Sequence, residues 1–209
     1  MTNQKEKTNR TDRIFLNKAL HRNRRELLQL TGIGLFGALV TQKIAHAKKY
    51  RIKFNVLDGR DQIDVGDKAE QMIENAYKLG YDFEKKHGGC ARCTVAALQK
   101  SIEFAPEDKG LFRAASCLDG GATPQGIQNC GAFTGSGMVI GWVCGNEMFG
   151  DTRLSHNLIR KVYERFEKEY GSVLCKDVKK KAKRNCPEVV GTAARWTAET
   201  LLRQFTNYE

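Results

Sequence analysis

The sequence predicts a mainly α fold: a compact bundle of about five helices with a glycine-rich helix at its centre. Three observations lead there. Apolar residues recur at helical spacing, most clearly Leu154, Leu158, Val162, Phe166 and Tyr170. No segment of the chain reads as a buried strand. A hydrophobic content of 41% with a mean hydropathy of −0.51 excludes both a membrane bundle and wholesale disorder. With 209 residues, the chain has room for one domain and an appendage.

The appendage comes first. Residues 1–47 carry nine Lys and Arg against three acids, a net +6 of the formal +11. Residues 27–40 (LLQLTGIGLFGALV) form an uncharged apolar run, shorter than the roughly 20 residues a spanning helix needs. Ala45-His46-Ala47 supplies a small-x-small cleavage pattern. Just before the run, Arg24-Arg25-Glu26-Leu27-Leu28 resembles a twin-arginine (Tat) export signal. Asn23, Leu27 and Gln29 stand where that pattern more often has Ser or Thr, Phe and Lys. The competing reading is a helix that packs Leu27, Leu30 and Leu35 on a core. The signal reading accounts for four features in the correct order. It makes residues 1–47 a Tat-type signal peptide and residues 48–209 the mature domain, with a periplasmic or otherwise extracytoplasmic location.

The mature part opens with residues 50–63 (YRIKFNVLDGRDQI), which read as a short extended arm or turn around Asp58-Gly59. Asp67 and Glu70 have capping-box spacing, and Met72, Ile73, Ala76, Tyr77 and Leu79 give the following helix its apolar side. His87-Gly88-Gly89 breaks it. A second helix starts near Cys90, carries Val95, Leu98 and Ile102, and ends before Pro106. Residues 111–116 form a short helical piece, and residues 119–129, with three Gly and one Pro, form a loop. The third long helix, residues 131–149, is apolar nearly all round despite Gly135, Gly137, Gly141 and Gly145. Each such Gly costs up to about 1 kcal/mol relative to Ala, so close approach of another helix or a bulky group should compensate. The stripe from Leu154 to Tyr170 is the fourth, stopped by Gly171. Pro187 fits the first turn of the last, whose apolar side uses Val190, Ala194, Trp196, Thr197, Leu201 and Phe205.

All seven cysteines (90, 93, 117, 130, 144, 175, 186) lie in the mature part. Cys90-Ala91-Arg92-Cys93 is a C-x-x-C pair open to metal, redox and disulfide readings. Thr94 follows it where covalent haem attachment requires His, so no c-type haem is expected. Cys93, Cys130 and Cys186 fall at or near helix starts, where free N–H groups favour thiolate. Together they would form an electropositive collar for an anionic sulfur-ligated centre. Cys117 and Cys144 read as ordinary buried cysteines. His87 reads as a solvated loop residue and His156 as water-facing. No Ser/His/Asp set, Walker-type loop or carboxylate pair stands out, which points to an electron carrier rather than a turnover enzyme.

Cys130-Gly131-Ala132-Phe133-Thr134-Gly135, followed by an apolar Gly-rich helix, resembles the redox-active C-GCAxxG-C-C family. Cys93 with residues 94–98 is similar to the family's first cysteine segment, Cys175 after residues 170–174 to its third, and Cys186-Pro187 to its fourth. A similar four-cysteine domain occurs in split-Soret cytochromes, where it is associated with an iron–sulfur centre. The resemblance implies an iron–sulfur cluster, [2Fe–2S], held by Cys93, Cys130, Cys175 and Cys186. Cys90 is an addition that could replace or pair with Cys93. The implied protein is an exported electron carrier, loaded before passage through the Tat translocase, that hands electrons to a redox partner protein. A homodimer is compatible with this reading. The alternatives are a thiol–disulfide protein using Cys90/Cys93 or Cys175/Cys186, or a helical domain stapled by disulfides.

The remaining charge bears on partners. Residues 176–184 (KDVKKKAKR) hold six Lys and Arg and one Asp, so the rest of the mature chain is formally neutral. That excludes a broad nucleic-acid surface. The segment reads as a solvated loop, or as a docking patch for an acidic partner.

Overall fold

The computed structural model describes residues 56–209. The export signal, its cleavage site and residues 50–55 of the arm lie outside the described residues. Among the described residues there are seven α-helices and no β-strand, so the fold is mainly α. The helices are α1 (Ala69–His87), α2 (Cys90–Ser101), α3 (Lys109–Ala114), α4 (Gly131–Cys144), α5 (Arg153–Tyr170), α6 (Cys175–Lys181) and α7 (Cys186–Phe205). Gly66–Lys68 and Ala115–Gly121 form 3-10 turns. None of the described helices is long and apolar enough to cross a membrane.

Five long helices are those the periodicity predicts, and their predicted faces are the buried ones. Met72, Ile73 and Ala76 of α1, Val95 and Leu98 of α2, Leu158, Val162 and Phe166 of α5, and Val190, Ala194, Leu201 and Phe205 of α7 are all buried. Each large aliphatic or aromatic side chain so buried contributes about 1.5–3 kcal/mol. Phe166 is fully enclosed, with the rings of Phe133, Tyr170 and Trp196 at centroid distances of 5.5, 5.4 and 5.6 Å. The arm packs back on the bundle: the Leu57 N–H donates to the Val143 carbonyl and the Ile63 N–H to that of Phe205.

The long helices meet closely because small residues line their crossings. At the α1–α7 crossing, a Cβ on Gly80 would lie 3.1 Å from the Val190 carbonyl oxygen, and one on Gly191 2.9 Å from that of Tyr77. Tyr77 then bonds Glu188 at 2.8 Å, and Arg195 lies over the Tyr77 ring. At the α2–α4 crossing, a Cβ on Gly135 would lie 2.7 Å from the Ala91 carbonyl oxygen. The glycines expected to admit a close neighbour do so at Gly135, whereas Gly141 faces open space. Helix α4 packs on α2, α5 and α7, and α2 is more enclosed still, with nine of its twelve residues buried.

Three local expectations are corrected. The Asp67/Glu70 capping box does not form: Asp67 lies in the preceding 3-10 turn, and the α1 N-cap, Lys68, makes no side-chain cap. The third long helix ends at Cys144 rather than 149, because Gly145 leaves helical geometry. The basic segment 176–184 is largely helical: α6 takes in Lys176 through Lys181, and only the turn after it is irregular. In that turn Lys183 and Arg184 both take left-handed φ values (48° and 64°).

Candidate functional site

Five cysteines gather where four helices begin. Two residues join α1 to α2, Gly88 (φ 65°) and Gly89 (φ 97°), both in backbone regions that favour glycine. Cys90 is therefore the first residue of α2, and Cys93 stands one turn further in. Helix α2 is capped from a distance: the Asp119 carboxylate accepts the Ala91 N–H at 2.8 Å and the Arg92 N–H at 3.3 Å, and pairs with the Arg92 guanidinium at 2.7 Å. Cys130 is the N-cap of α4, Cys175 opens α6, and Cys186 opens α7.

A two-residue β-bridge between Asn129 and Leu174 ties two of these starts together. The Cys130 N–H donates to the Val173 carbonyl at 2.7 Å, and the Cys175 N–H to that of Gln128 at 2.9 Å. The glycine loop of residues 119–129 then closes over Cys175. A Cβ on Gly121 would lie 2.6 Å from the Cys175 Cβ, and one on Gly126 3.5 Å from its sulfur. On the other side, a Cβ on Gly131 would collide with the Cys90 sulfur. Glycine at these three positions is what lets the backbone close on the thiols.

The thiols differ in setting. The Gly120 N–H points at the Cys90 sulfur at 3.5 Å, and that sulfur abuts Gly131, the residue after Cys130. The Cys130 thiol donating to Cys90, helped by that N–H, draws Cys90 down to about 7. Cys130 is correspondingly pushed well up, first by that same bond and then by burial. Burial and the neighbouring Glu84 push Cys93 up to about 12, and its Sγ donates to the Gly88 carbonyl at 3.4 Å. Burial also raises Cys175 and Cys186, which Lys179 partly offsets in both. The expected collar of thiolate-favouring helix starts is thus corrected. Loss of water outweighs the helix-end field at Cys93 and Cys186, the neighbouring Cys90 together with burial outweighs it at Cys130, and among the site thiols only Cys90 is lowered.

Sequence reasoning missed three groups here. Glu84, on the last turns of α1, has one carboxylate oxygen buried without a hydrogen-bond partner, and burial raises its pKa. Asp119 bears on the site from a segment read as a loop, and Lys179 from one read as a solvated loop or a docking patch. Nothing in the linear pattern marks any of the three, since each acts across the fold.

The other candidates stand apart. Cys144 is buried as expected, donating to the Ile140 carbonyl at 3.2 Å. Cys117 is exposed, which corrects its reading as a buried core residue: it lies on the outer side of a 3-10 turn. His87 and His156 are both exposed. All seven cysteines are free. Among the described residues, no three His, Cys, Asp or Glu side chains are spaced to hold a metal ion as they stand.

A family model described as "Putative redox-active protein (C_GCAxxG_C_C)" matches residues 88–200, more than half of the chain. The chain belongs to the C_GCAxxG_C_C family. Neither the curated proteins nor the solved structures offer a significant match. The C_GCAxxG_C_C match runs from the turn before Cys90 into α7 and takes in all seven cysteines. Helix α1 and its Glu84 precede it.

Proposed function

We propose that this redox-family chain carries an iron–sulfur cluster, [2Fe–2S], on thiols from the starts of α2, α4, α6 and α7, and passes electrons to a partner. The observation that carries this reading is the convergence of those helix starts under a glycine loop. The α2 start offers Cys90 and Cys93, and the other three offer Cys130, Cys175 and Cys186. The donor set fits such a group in kind, since four thiolates are its usual complement. The glycine cradle and the unpartnered Glu84 oxygen mark the same region as incompletely satisfied by protein alone. When bound, the cluster supplies reversible one-electron storage.

The chain's own residues do the rest. Lys179 places a cation beside Cys175 and Cys186, opposing the negative charge that thiolates accumulate. The Gly120 N–H stabilises charge on a site sulfur. Cys186 is the half-buried thiol of the group, next to the cations of α6 and its turn. That side faces the partner in this proposal, and an acidic docking surface complements it. Export by the Tat route, with loading before translocation, belongs to the same proposal.

The test is anaerobic purification followed by iron and sulfide analysis. Brown protein with about two iron and two sulfide per chain supports the reading. Colourless protein that takes up neither after reconstitution sinks it.

The opposite shifts of the Cys90 thiol, lowered, and the Cys130 thiol, raised, favour a second reading, thiol–disulfide exchange. The Cys90 thiolate would attack a substrate disulfide and expel one substrate thiolate. Cys130 would then attack the Cys90 sulfur and release the second. The products are a substrate dithiol and a Cys90–Cys130 disulfide. This pair differs from the Cys90/Cys93 and Cys175/Cys186 pairs that the spacing suggests. Reduction of a disulfide substrate by metal-free protein, abolished in Cys130→Ser, would establish it.

A further inference from the structure

The iron–sulfur reading leaves the start of α2 with two thiols for one place. We infer that Cys90, not Cys93, is the α2 ligand, so that the cluster is held by Cys90, Cys130, Cys175 and Cys186. The inference rests on that reading and on three placements.

First, Cys90 packs against the start of α4. Its sulfur fills the place a Cβ on Gly131, the residue after Cys130, would take. Second, Cys90 receives the Gly120 N–H from the loop that closes over Cys175. The donor that would serve a ligating sulfur is therefore aimed at Cys90.

Third, Cys93 is committed elsewhere. It sits three residues on, about 4.5 Å further along the helix axis. Its thiol donates to the Gly88 carbonyl and faces Glu84. Ligation by Cys93 would require breaking that bond. Ligation by Cys90 breaks no bond to a backbone carbonyl. Cys93 is then a packing thiol that holds the Gly88–Gly89 turn, through which α1 delivers Cys90.

Four full-length proteins test this: wild type, Cys90→Ser, Cys93→Ser and Cys93→Ala, each reconstituted anaerobically with ferrous iron and sulfide. The readouts are iron and sulfide content, the visible spectrum, and the electron paramagnetic resonance of the reduced form. Thermal unfolding of the cluster-free proteins checks the fold. Both Cys93 variants should keep the wild-type iron count and resonance positions. Cys90→Ser should fall to less than about half the wild-type iron, or keep its iron with shifted resonances from an oxygen ligand. The inference is overturned if a Cys93 variant loses iron or shifts its resonances, or if Cys90→Ser is indistinguishable from wild type. The Cys93 pair decides the question even if Cys90→Ser does not fold. Failure of wild type itself to take up iron and sulfide overturns the cluster reading, and this inference with it.

Discussion

Two glycines on one helix should respond oppositely to the same substitution. At Gly135, a Cβ would lie 2.7 Å from the Ala91 carbonyl oxygen and 3.0 Å from the Thr94 Cβ, inside the α2–α4 contact. Gly135→Ala is expected to cost about 1–3 kcal/mol by overpacking. Gly141 is exposed and meets nothing within 4 Å, so Gly141→Ala should stabilise by about 0.5–1 kcal/mol. Urea unfolding of the two variants checks both signs. Glu84 gives a third case. Its folded pKa is raised from 4.5 by burial, so its neutral form favours folding below pH 4.5 and that advantage is lost as pH rises. Glu84→Gln should therefore stabilise cluster-free protein at neutral pH by on the order of 1 kcal/mol, with the gain vanishing in acid. Melting curves at both ends of that range would show it. The cysteine inventory was legible at this scale. The difference between Cys90 and Cys93 was not, because it depends on which sulfur receives the Gly120 N–H and which donates to the Gly88 carbonyl.

At the scale of elements, the five long helices were readable because their apolar residues recur over three or more turns. Helix α6 was hidden by its own composition: with Lys at 176, 179, 180 and 181, only Cys175 and Val178 turn inward. The cap of α2 was hidden for a different reason. Its acceptor is the Asp119 carboxylate, 28 residues away from Ala91, while the Asp67/Glu70 pair that matches the capping pattern forms no cap on α1. Asp119→Ala is expected to cost about 1–2 kcal/mol, and Asp119→Asn distinctly less, because the amide oxygen still accepts the N–H of Ala91. Denaturation midpoints of the two variants compare these directly. Equal losses would assign the stabilisation to the Arg92 ion pair instead.

For the whole molecule, the buried thiols set the response to alkali. Cys93, Cys130, Cys144, Cys175 and Cys186 are all raised above 9.0, and Cys90 alone among the shifted thiols is lowered. A raised thiol contributes stability that is complete below the unfolded value and is lost as pH climbs through the folded one. Cys90 works the other way, losing its contribution as pH falls from 9.0 toward about 7. Five against one, cluster-free protein should lose stability steeply once pH passes 9.0, as read from urea midpoints across that range. A midpoint unchanged above pH 9.0 would contradict the burial of these thiols.

The bridge between Asn129 and Leu174 bears on timing. It closes a long loop containing α4 and α5, and closing such a loop is an entropic cost that must be met before the contacts inside it can form. The backbone amides of Cys130 and Cys175 both lie in this clasp. They should therefore exchange with deuterium in one shared opening event, although far apart in the chain. Two of the site's thiols thus become neighbours only once that loop has closed, so the polypeptide must be largely folded before the pocket they share exists.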